Sequence, residues 1–167
     1  LTSPSKEVEL QFFGGEPFLR FDLIKKAIAY AENKSRQINK NIKYLITTNG
    51  LLLNDEKLAY LKRYNVAIML SLDGSKDTQI KNRPLIKKSK PDYFNGLIRN
   101  LKKLLDKKLH YFINLTFLPE DLPDLKANVN YLISLGVKEI QLSYAIGGNF
   151  KQENLPAYIG ALKEIIK

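Results

Sequence analysis

The chain has 167 residues, of which 44% are hydrophobic, and its 27 basic and 17 acidic side chains give a formal net charge of +10. This length suits one domain with its own core, and the composition excludes collagen-like, low-complexity and disulfide-stapled classes. Cysteine is absent and there is one histidine, so these residues offer no disulfide, thiolate nucleophile or Cys- or His-rich metal site.

Neither a membrane span nor an export signal is indicated. No run of about 18 apolar residues is present, and Leu1 to Lys6 contains no apolar signal core. We therefore expect a cytoplasmic protein. The sequence begins at Leu1 and not at Met, so we expect a fragment or a processed piece of a longer protein.

The basic excess is concentrated in Gly74–Lys108, where eleven basic residues accompany three acidic ones. A lysine-rich solvated face and an anion-binding face both fit this run. Within it, Lys81–Lys90 contains five basic residues and no acidic one, which makes it the best candidate for binding an acidic partner. A peptide substrate, a leader peptide and an RNA are all compatible with that charge.

Strand-like and helix-like runs alternate along the chain. The predicted strands are Glu7–Phe13, Ile42–Thr48, Val66–Leu72, Tyr111–Phe117 and Glu139–Tyr144. The predicted helices are Phe21–Gln37, Asp55–Tyr64, Tyr93–Lys107, Leu122–Leu135 and Glu153–Ile166. Asn54 and Asp92 are predicted N-caps, Gly136 a predicted C-cap, and Gly74–Asp92 a long irregular loop.

Strict alternation of strands and helices predicts right-handed βαβ units and a parallel sheet. An open sheet covered on both faces needs apolar residues on both. Here one face of each strand is apolar and the other carries polar residues: Glu9, Gln11, Thr47, Asn49, Ser71, Asp73, Asn114, Thr116, Gln141 and Ser143. A polar lumen suits a barrel that holds a polar ligand. We therefore predict an α/β fold, a partial (β/α) TIM-like barrel of about five parallel units.

The end of the first predicted strand reads Phe13-Gly14-Gly15-Glu16-Pro17. Two glycines allow close approach of the backbone to a ligand or a positive φ, and Pro17 forces Glu16 to be extended. Backbone carbonyls and a carboxylate at this point suit a cationic group such as an ammonium. A plain strand-to-helix turn explains the same residues.

Two further motifs follow at the ends of the next strands. Thr47-Thr48-Asn49-Gly50 is a turn signal in which Asn49 has hydrogen-bonding groups for a ligand. In Ser71-Leu72-Asp73-Gly74, the Ser71 hydroxyl and the Asp73 carboxylate point to one face and can both hydrogen-bond to a vicinal diol such as that of a ribose. Arg83 follows and can pair bidentately with a carboxylate, although a surface charge is the alternative.

These motifs, in this order on successive units, resemble the core of radical S-adenosylmethionine (radical SAM) enzymes from about Glu7 to Ser143. They are most similar to the peptide- and protein-maturing branch, which includes anaerobic sulfatase-maturing enzymes and maturases with a SPASM-type C-terminal domain. The resemblance implies a 4Fe-4S cluster held by a Cys-x3-Cys-x2-Cys loop. It also implies reductive cleavage of S-adenosylmethionine and abstraction of a substrate hydrogen by the resulting radical.

The resemblance also implies roles for individual residues. Gly14, Gly15 and Glu16 would hold the methionine ammonium, and Arg83 the methionine carboxylate. Ser71 and Asp73 would hold the ribose hydroxyls. The other candidate contacts for the cofactor are Asn49, Asn114 and Gln141.

The absence of cysteine departs from the family pattern. We expect the central part of a core barrel over residues 1–167, with the cluster strand upstream of Leu1 and a C-terminal region also outside. Such a fragment would hold no catalytic residue, would be inactive alone, and would self-associate through bare strand edges. The alternatives are a cluster-free domain that binds a nucleotide-like ligand and a radical enzyme that modifies RNA or a small cofactor precursor.

Overall fold

The computed structural model describes residues 6–84 and 93–166. Five strands alternate with helices along the chain. The strands are β1 Glu7–Phe12, β2 Asn41–Thr48, β3 Ala67–Ser71, β4 Tyr111–Phe117 and β5 Ile140–Tyr144. The helices are α1 Phe21–Ile38, α2 Asp55–Arg63, α3 Lys76–Asn82, α4 Tyr93–Asp106, α5 Leu125–Ser134 and α6 Leu155–Ile166.

Short 3-10 turns precede three of the helices, at Pro17–Arg20, Pro119–Asp124 and Gln152–Asn154. Two predicted helices therefore begin later than their patterns suggest, because the first residues of each run form a 3-10 turn.

All five strands are parallel, and they lie side by side in chain order. This order is half of a (β/α) barrel, which confirms the predicted fold class. Among the described residues, β1 and β5 each pair with one neighbour only. Self-association through these two edges stays a prediction. No helix in the described ranges is long and apolar enough to cross a bilayer.

The core lies between the sheet and the helices on one of its faces. Alternate strand residues point into it: Tyr44, Ile46, Ile68, Leu70, Ile113 and Leu115. The helices contribute Ile24, Ile28, Leu58, Leu61, Leu97, Leu101, Leu104 and Leu132. This burial follows directly from the period of two in the strands and of about 3.6 in the helices.

The other face of the sheet is open and is only partly polar. Leu45 is half-buried between buried Tyr44 and Ile46, and so lies on the open face. In register, Thr47 neighbours Met69, which neighbours Phe112. The prediction of a wholly polar face is therefore wrong in the middle of the sheet. Polar residues occupy the open face along β1, as Glu7, Glu9 and Gln11, and towards the carboxyl ends of the other strands.

Two of the three predicted caps are confirmed. Asn54 accepts a hydrogen bond from the Lys57 amide at 2.9 Å. Gly136 has a φ of +91°, and its N–H donates to the Ile133 carbonyl while Val137 donates to Leu132. These two bonds form a Schellman motif, which favours glycine. Asp92 lies outside the described residues.

The prediction that Gly74–Asp92 is irregular is wrong over Lys76–Asn82, which forms α3. Residues 85–92 lie outside the described residues. Ser75 caps this helix by accepting from the Thr78 amide. Gln79 is its one buried residue, so no apolar period marks it in the sequence. Polar contacts to the rest of the fold therefore determine this helix.

Leu101→Ala tests whether α4 supplies the core as described. Leu101 is fully buried, so the substitution should lower the free energy of unfolding by about 2–5 kcal/mol. Chemical denaturation measures the change. Lys102→Ala, at the exposed neighbour, should change it by about 0.5 kcal/mol or less. Equal effects of the two substitutions would contradict this placement of α4.

Candidate functional site at the carboxyl edge of the sheet

A cavity of about 320 Å³ opens at the carboxyl ends of β3, β4 and β5. Its lining residues are Asp73, Asn82, Arg83, Thr116, Phe117, Leu118, Ala145 and Ile146. Parallel α/β folds place their binding sites at this edge. Of the predicted site residues, Asp73 and Arg83 meet in this cavity.

Arg83 and Asp73 form a bidentate ion pair in the cavity wall. Arg83 Nε donates to Asp73 Oδ2 at 2.7 Å, and Arg83 Nη2 donates to Oδ1 at 3.0 Å. The Thr116 amide donates to the same Oδ1 at 2.9 Å. The Asp73 side chain is 1% exposed, so these three bonds compensate a carboxylate that has lost its water.

The Arg83 guanidinium keeps donors for a ligand. Its Nη2 group also donates to Thr116 Oγ1 at 3.1 Å. A guanidinium has five N–H donors, and those of Nη1 have no partner among the described residues. The side chain is 32% exposed and lines the cavity. Arg83 is therefore a fixed cation with one pair of N–H groups available to a carboxylate.

Glu16 joins the end of β1 to the end of β2. Its Oε1 accepts from Thr48 Oγ1 at 2.9 Å and from the Phe18 amide at 3.2 Å. Its Oε2 accepts from the Asn49 amide at 2.9 Å. The carboxylate thus links two of the predicted motifs. Because both of its oxygens already accept hydrogen bonds within the chain, a ligand at Glu16 would have to bind to those same oxygens.

The two glycines before Glu16 lie in open space. Gly14 has a φ of +132°, and an added Cβ would meet nothing within 4 Å at either Gly14 or Gly15. The positive φ explains glycine at position 14. Both backbones are exposed at the edge of the sheet, where they are accessible to a ligand.

Asn49 stabilises the turn that its motif predicts. Its Oδ1 accepts from the Leu51 amide at 3.0 Å. Gly50 follows with a φ of +74°, and a Cβ there would overlap the side chains of Leu70 and Leu97. The turn interpretation is therefore correct, and Asn49 as a ligand contact stays a prediction that rests on its amide nitrogen.

The remaining predicted site residues lie on the open face of the sheet. Ser71 is buried, and its hydroxyl has no hydrogen-bond partner within the described residues. Asn114, its neighbour in register, accepts from Ser143 Oγ at 2.8 Å. Gln141 is exposed and donates to Ser143 Oγ at 3.4 Å. These side chains form a polar row beside the cavity but do not line it.

Sequence reasoning missed the residues that support the site. Asn128 Oδ1 accepts from the Ser75 amide at 2.9 Å, and an added Cβ at Gly74 would overlap the Asn128 side chain. Gln79 Oε1 accepts from the Asp73 amide at 2.8 Å. Asp121 binds the last turn of α3. Only Asn128 has a signal in the sequence, because it is a polar residue at a position of α5 that the apolar period of Leu125, Val129 and Leu132 would bury.

Asp121 is a buried carboxylate with three donors. Lys81 Nζ, Asn82 Nδ2 and the Leu118 amide donate to it at 2.6, 2.9 and 2.8 Å. Burial alone would raise the pKa of Asp121, but these hydrogen bonds outweigh it and hold the pKa below its ordinary value. The same contact raises the pKa of Lys81. Of the basic segment Lys81–Lys90, residues 85–90 lie outside the described residues.

An iron-sulfur cluster does not fit these residues. Cysteine thiolates hold such clusters, and the chain has no cysteine. In the described ranges, no three His, Asp or Glu side chains come together as a metal site. The carboxyl edge therefore offers groups for an organic ligand and none for iron.

Comparison with known proteins places this chain in a family. The model of the radical SAM superfamily matches residues 5–141, so the chain belongs to that superfamily. It is 33% identical over 140 residues to the uncharacterized protein MJ0907 of Methanocaldococcus jannaschii, covering 84% of this chain and 47% of that protein.

A second relative is the cysteine-type anaerobic sulfatase-maturating enzyme of Clostridium novyi, 33% identical over 103 residues. The match covers 61% of this chain and 27% of that enzyme. The chain thus spans about half or less of the curated relatives it matches.

The fold agrees with solved structures. Native anSMEcpe with bound AdoMet and the Kp18Cys peptide superposes with a TM-score of 0.82 at 18% identity, over 95% of this chain and 46% of that one. SuiB of Streptococcus suis bound to S-adenosylmethionine gives a TM-score of 0.61 at 19% identity, over 96% and 35%. At these identities the likeness establishes the fold alone.

Glu16→Gln tests the bridge between the first two motifs. The amide would turn an N–H towards a backbone or hydroxyl donor, so the free energy of unfolding should fall by about 1–3 kcal/mol. Urea denaturation measures it. Glu9→Gln removes an exposed carboxylate from β1 and serves as the control. An equal, small effect of both variants would contradict the bridging role.

The pKa of Asp121 predicts a pH dependence of stability. Because its folded-state pKa lies below the unfolded value of about 3.9, its contribution is present above that pH and is lost as pH falls through the folded-state pKa. The difference in unfolding free energy between the wild type and Asp121→Asn should therefore shrink below about pH 4. A difference that is constant with pH would refute the assignment.

Proposed function

We propose that the carboxyl edge of this sheet binds S-adenosylmethionine. The observation that carries the proposal is Arg83, a guanidinium fixed by Asp73 and Thr116 with its Nη1 donors free in the cavity wall. Such a group suits the methionine carboxylate. The backbones of Gly14 and Gly15 supply acceptors for the ammonium.

The geometry distinguishes the residues proposed for the rest of the cofactor. Ser71 has a hydroxyl without a partner in the described structure, which makes it ready to bind a ribose hydroxyl. Asp73 accepts three hydrogen bonds and is 1% exposed. Asp73 can bind a ribose hydroxyl together with Ser71 only if the Arg83 side chain moves away from it. Glu16 likewise has few free acceptor positions, while Asn49, Asn114 and Gln141 remain candidates for further contacts.

The proposed reaction is reductive cleavage of S-adenosylmethionine followed by abstraction of a hydrogen from a peptide or protein. A 4Fe-4S cluster would supply the reducing electron, and residues outside this sequence would have to hold it, since the chain has no cysteine. We therefore propose that residues 1–167 form the central part of a core barrel. The contribution of this chain is to bind and orient the cofactor.

Two comparisons favour a peptide or protein substrate. One relative is named a sulfatase-maturating enzyme, and one structural neighbour was solved with a peptide bound. The cytoplasmic location stays a prediction.

A cluster-free binding domain is the second candidate function. The absence of cysteine favours it. It would use the same cavity for a nucleotide-like ligand, so affinity measured without any cluster separates it from the first proposal.

Arg83→Lys tests the proposed site in the full-length protein. Lysine keeps the charge beside Asp73 but loses the fork that serves both Asp73 and a carboxylate. The Kd for S-adenosylmethionine, measured by calorimetry, should rise about tenfold. Formation of 5′-deoxyadenosine under anaerobic, reducing conditions should fall with it.

Arg63→Lys, at an exposed arginine at the end of α2, is the matched control and should leave the Kd unchanged. Unchanged affinity in Arg83→Lys would refute the proposed role of Arg83. If protein without iron binds S-adenosylmethionine tightly, and no 5′-deoxyadenosine is formed under reducing conditions, the cluster-free domain is favoured instead.

A further inference from the structure

We propose that Asp121 is a positioning residue that fixes Arg83 at the cavity. The proposal rests on the function proposed above, in which Arg83 binds the cofactor carboxylate. Asp121 belongs to none of the motifs found in the sequence. Its side chain is 4% exposed, and its carboxylate accepts hydrogen bonds from the two residues that precede Arg83.

The helix that carries Arg83 cannot hold itself in place. α3 has seven residues, and isolated helices of that length are unstable in water. It contributes little to the apolar core, since Gln79 is its one buried residue and Ile80 is 40% exposed. Its position must therefore come from polar contacts with its neighbours.

Tyr93 of α4 donates to the Gln79 and Arg83 carbonyls, at 3.4 and 3.3 Å. The shorter contacts at the two ends of the helix come from the connection between β4 and α5 and from α5 itself. At the start of α3, Asn128 accepts from the Ser75 amide and from Thr78 Oγ1, at 2.9 and 3.0 Å. At its end, Asp121 accepts from Lys81 and Asn82, at 2.6 and 2.9 Å. The helix is held at both ends by buried side chains of one neighbouring unit.

Asp121 has the more direct effect on the guanidinium. Its Oδ2 also accepts from the Leu118 amide, directly after β4, at 2.8 Å. Thr116 of β4 contacts both Asp73 and Arg83. One carboxylate therefore ties the residues before Arg83 to the strand end that receives its side chain. Without it, the backbone at Arg83 gains freedom and the pair with Asp73 loosens.

The test compares Asp121→Asn with Glu120→Gln in the full-length protein. Both remove one negative charge from the same 3-10 turn, but Glu120 is exposed. In selectively labelled protein, the Arg83 Nε–H resonance, assigned by its loss in Arg83→Lys, should exchange with solvent about tenfold faster in Asp121→Asn. Glu120→Gln should leave this exchange unchanged. This measurement needs no cofactor.

A second measurement distinguishes positioning from general stability. Asp121→Asn should raise the Kd for S-adenosylmethionine about tenfold in the wild-type background, and should have no further effect in Arg83→Lys. Asp121→Glu, which restores the charge, should recover part of the affinity. The same rise in Kd in both backgrounds would assign Asp121 a role independent of Arg83 and overturn the proposal.

The outcomes also separate this inference from the proposed function. If the Arg83 Nε–H exchanges with solvent at the wild-type rate in Asp121→Asn, the positioning role is refuted, even where S-adenosylmethionine binds the wild type. Absence of binding to the wild type refutes the proposed function and with it the role of Asp121 in cofactor binding, even where the exchange measurement shows that Asp121 holds Arg83.

Discussion

The buried carboxylate of Asp73 is the constraint on which the site depends. A carboxylate that is 1% exposed needs partners for its charge. Those partners come from α3, through Arg83, and from β4, through Thr116. Satisfying one charge thus joins the end of β3 to the end of α3 and to β4. The cavity lies where they meet, and the Nη1 donors of the guanidinium are left for a ligand.

A second carboxylate repeats this design at the last turn of α3. Asp121 is also buried, and it also joins a strand end to α3, through Leu118 and Lys81. Glu16 does the same between β1 and β2. Carboxylates therefore connect the loops at this edge, where apolar packing is thin. Hydrogen bonds are directional, so these links fix the loops in one geometry and leave the backbone accessible.

Some of the site was predictable from local chemistry. Gly14, with its positive φ, and the turn at Asn49 follow from residue types that favour those conformations. Arg83 and Asp73 were recognised as candidates, but their pairing was not. Ten residues and a helix with no apolar period separate them, so nothing in the sequence brings them together. Asp121 and Asn128 were missed because their partners lie about 40 to 50 residues away.

The sequence by itself determined the five βα units, their parallel sheet and the helix-covered face, because these depend on local periodicity. It also determined that iron ligands are lacking, because the chain has no cysteine. Only the tertiary structure decided which polar groups are satisfied within the chain and which face the cavity. Hydrogen bonds such as those of Asp73 and Asp121 depend on distance and angle in space, which alternation along a strand does not specify.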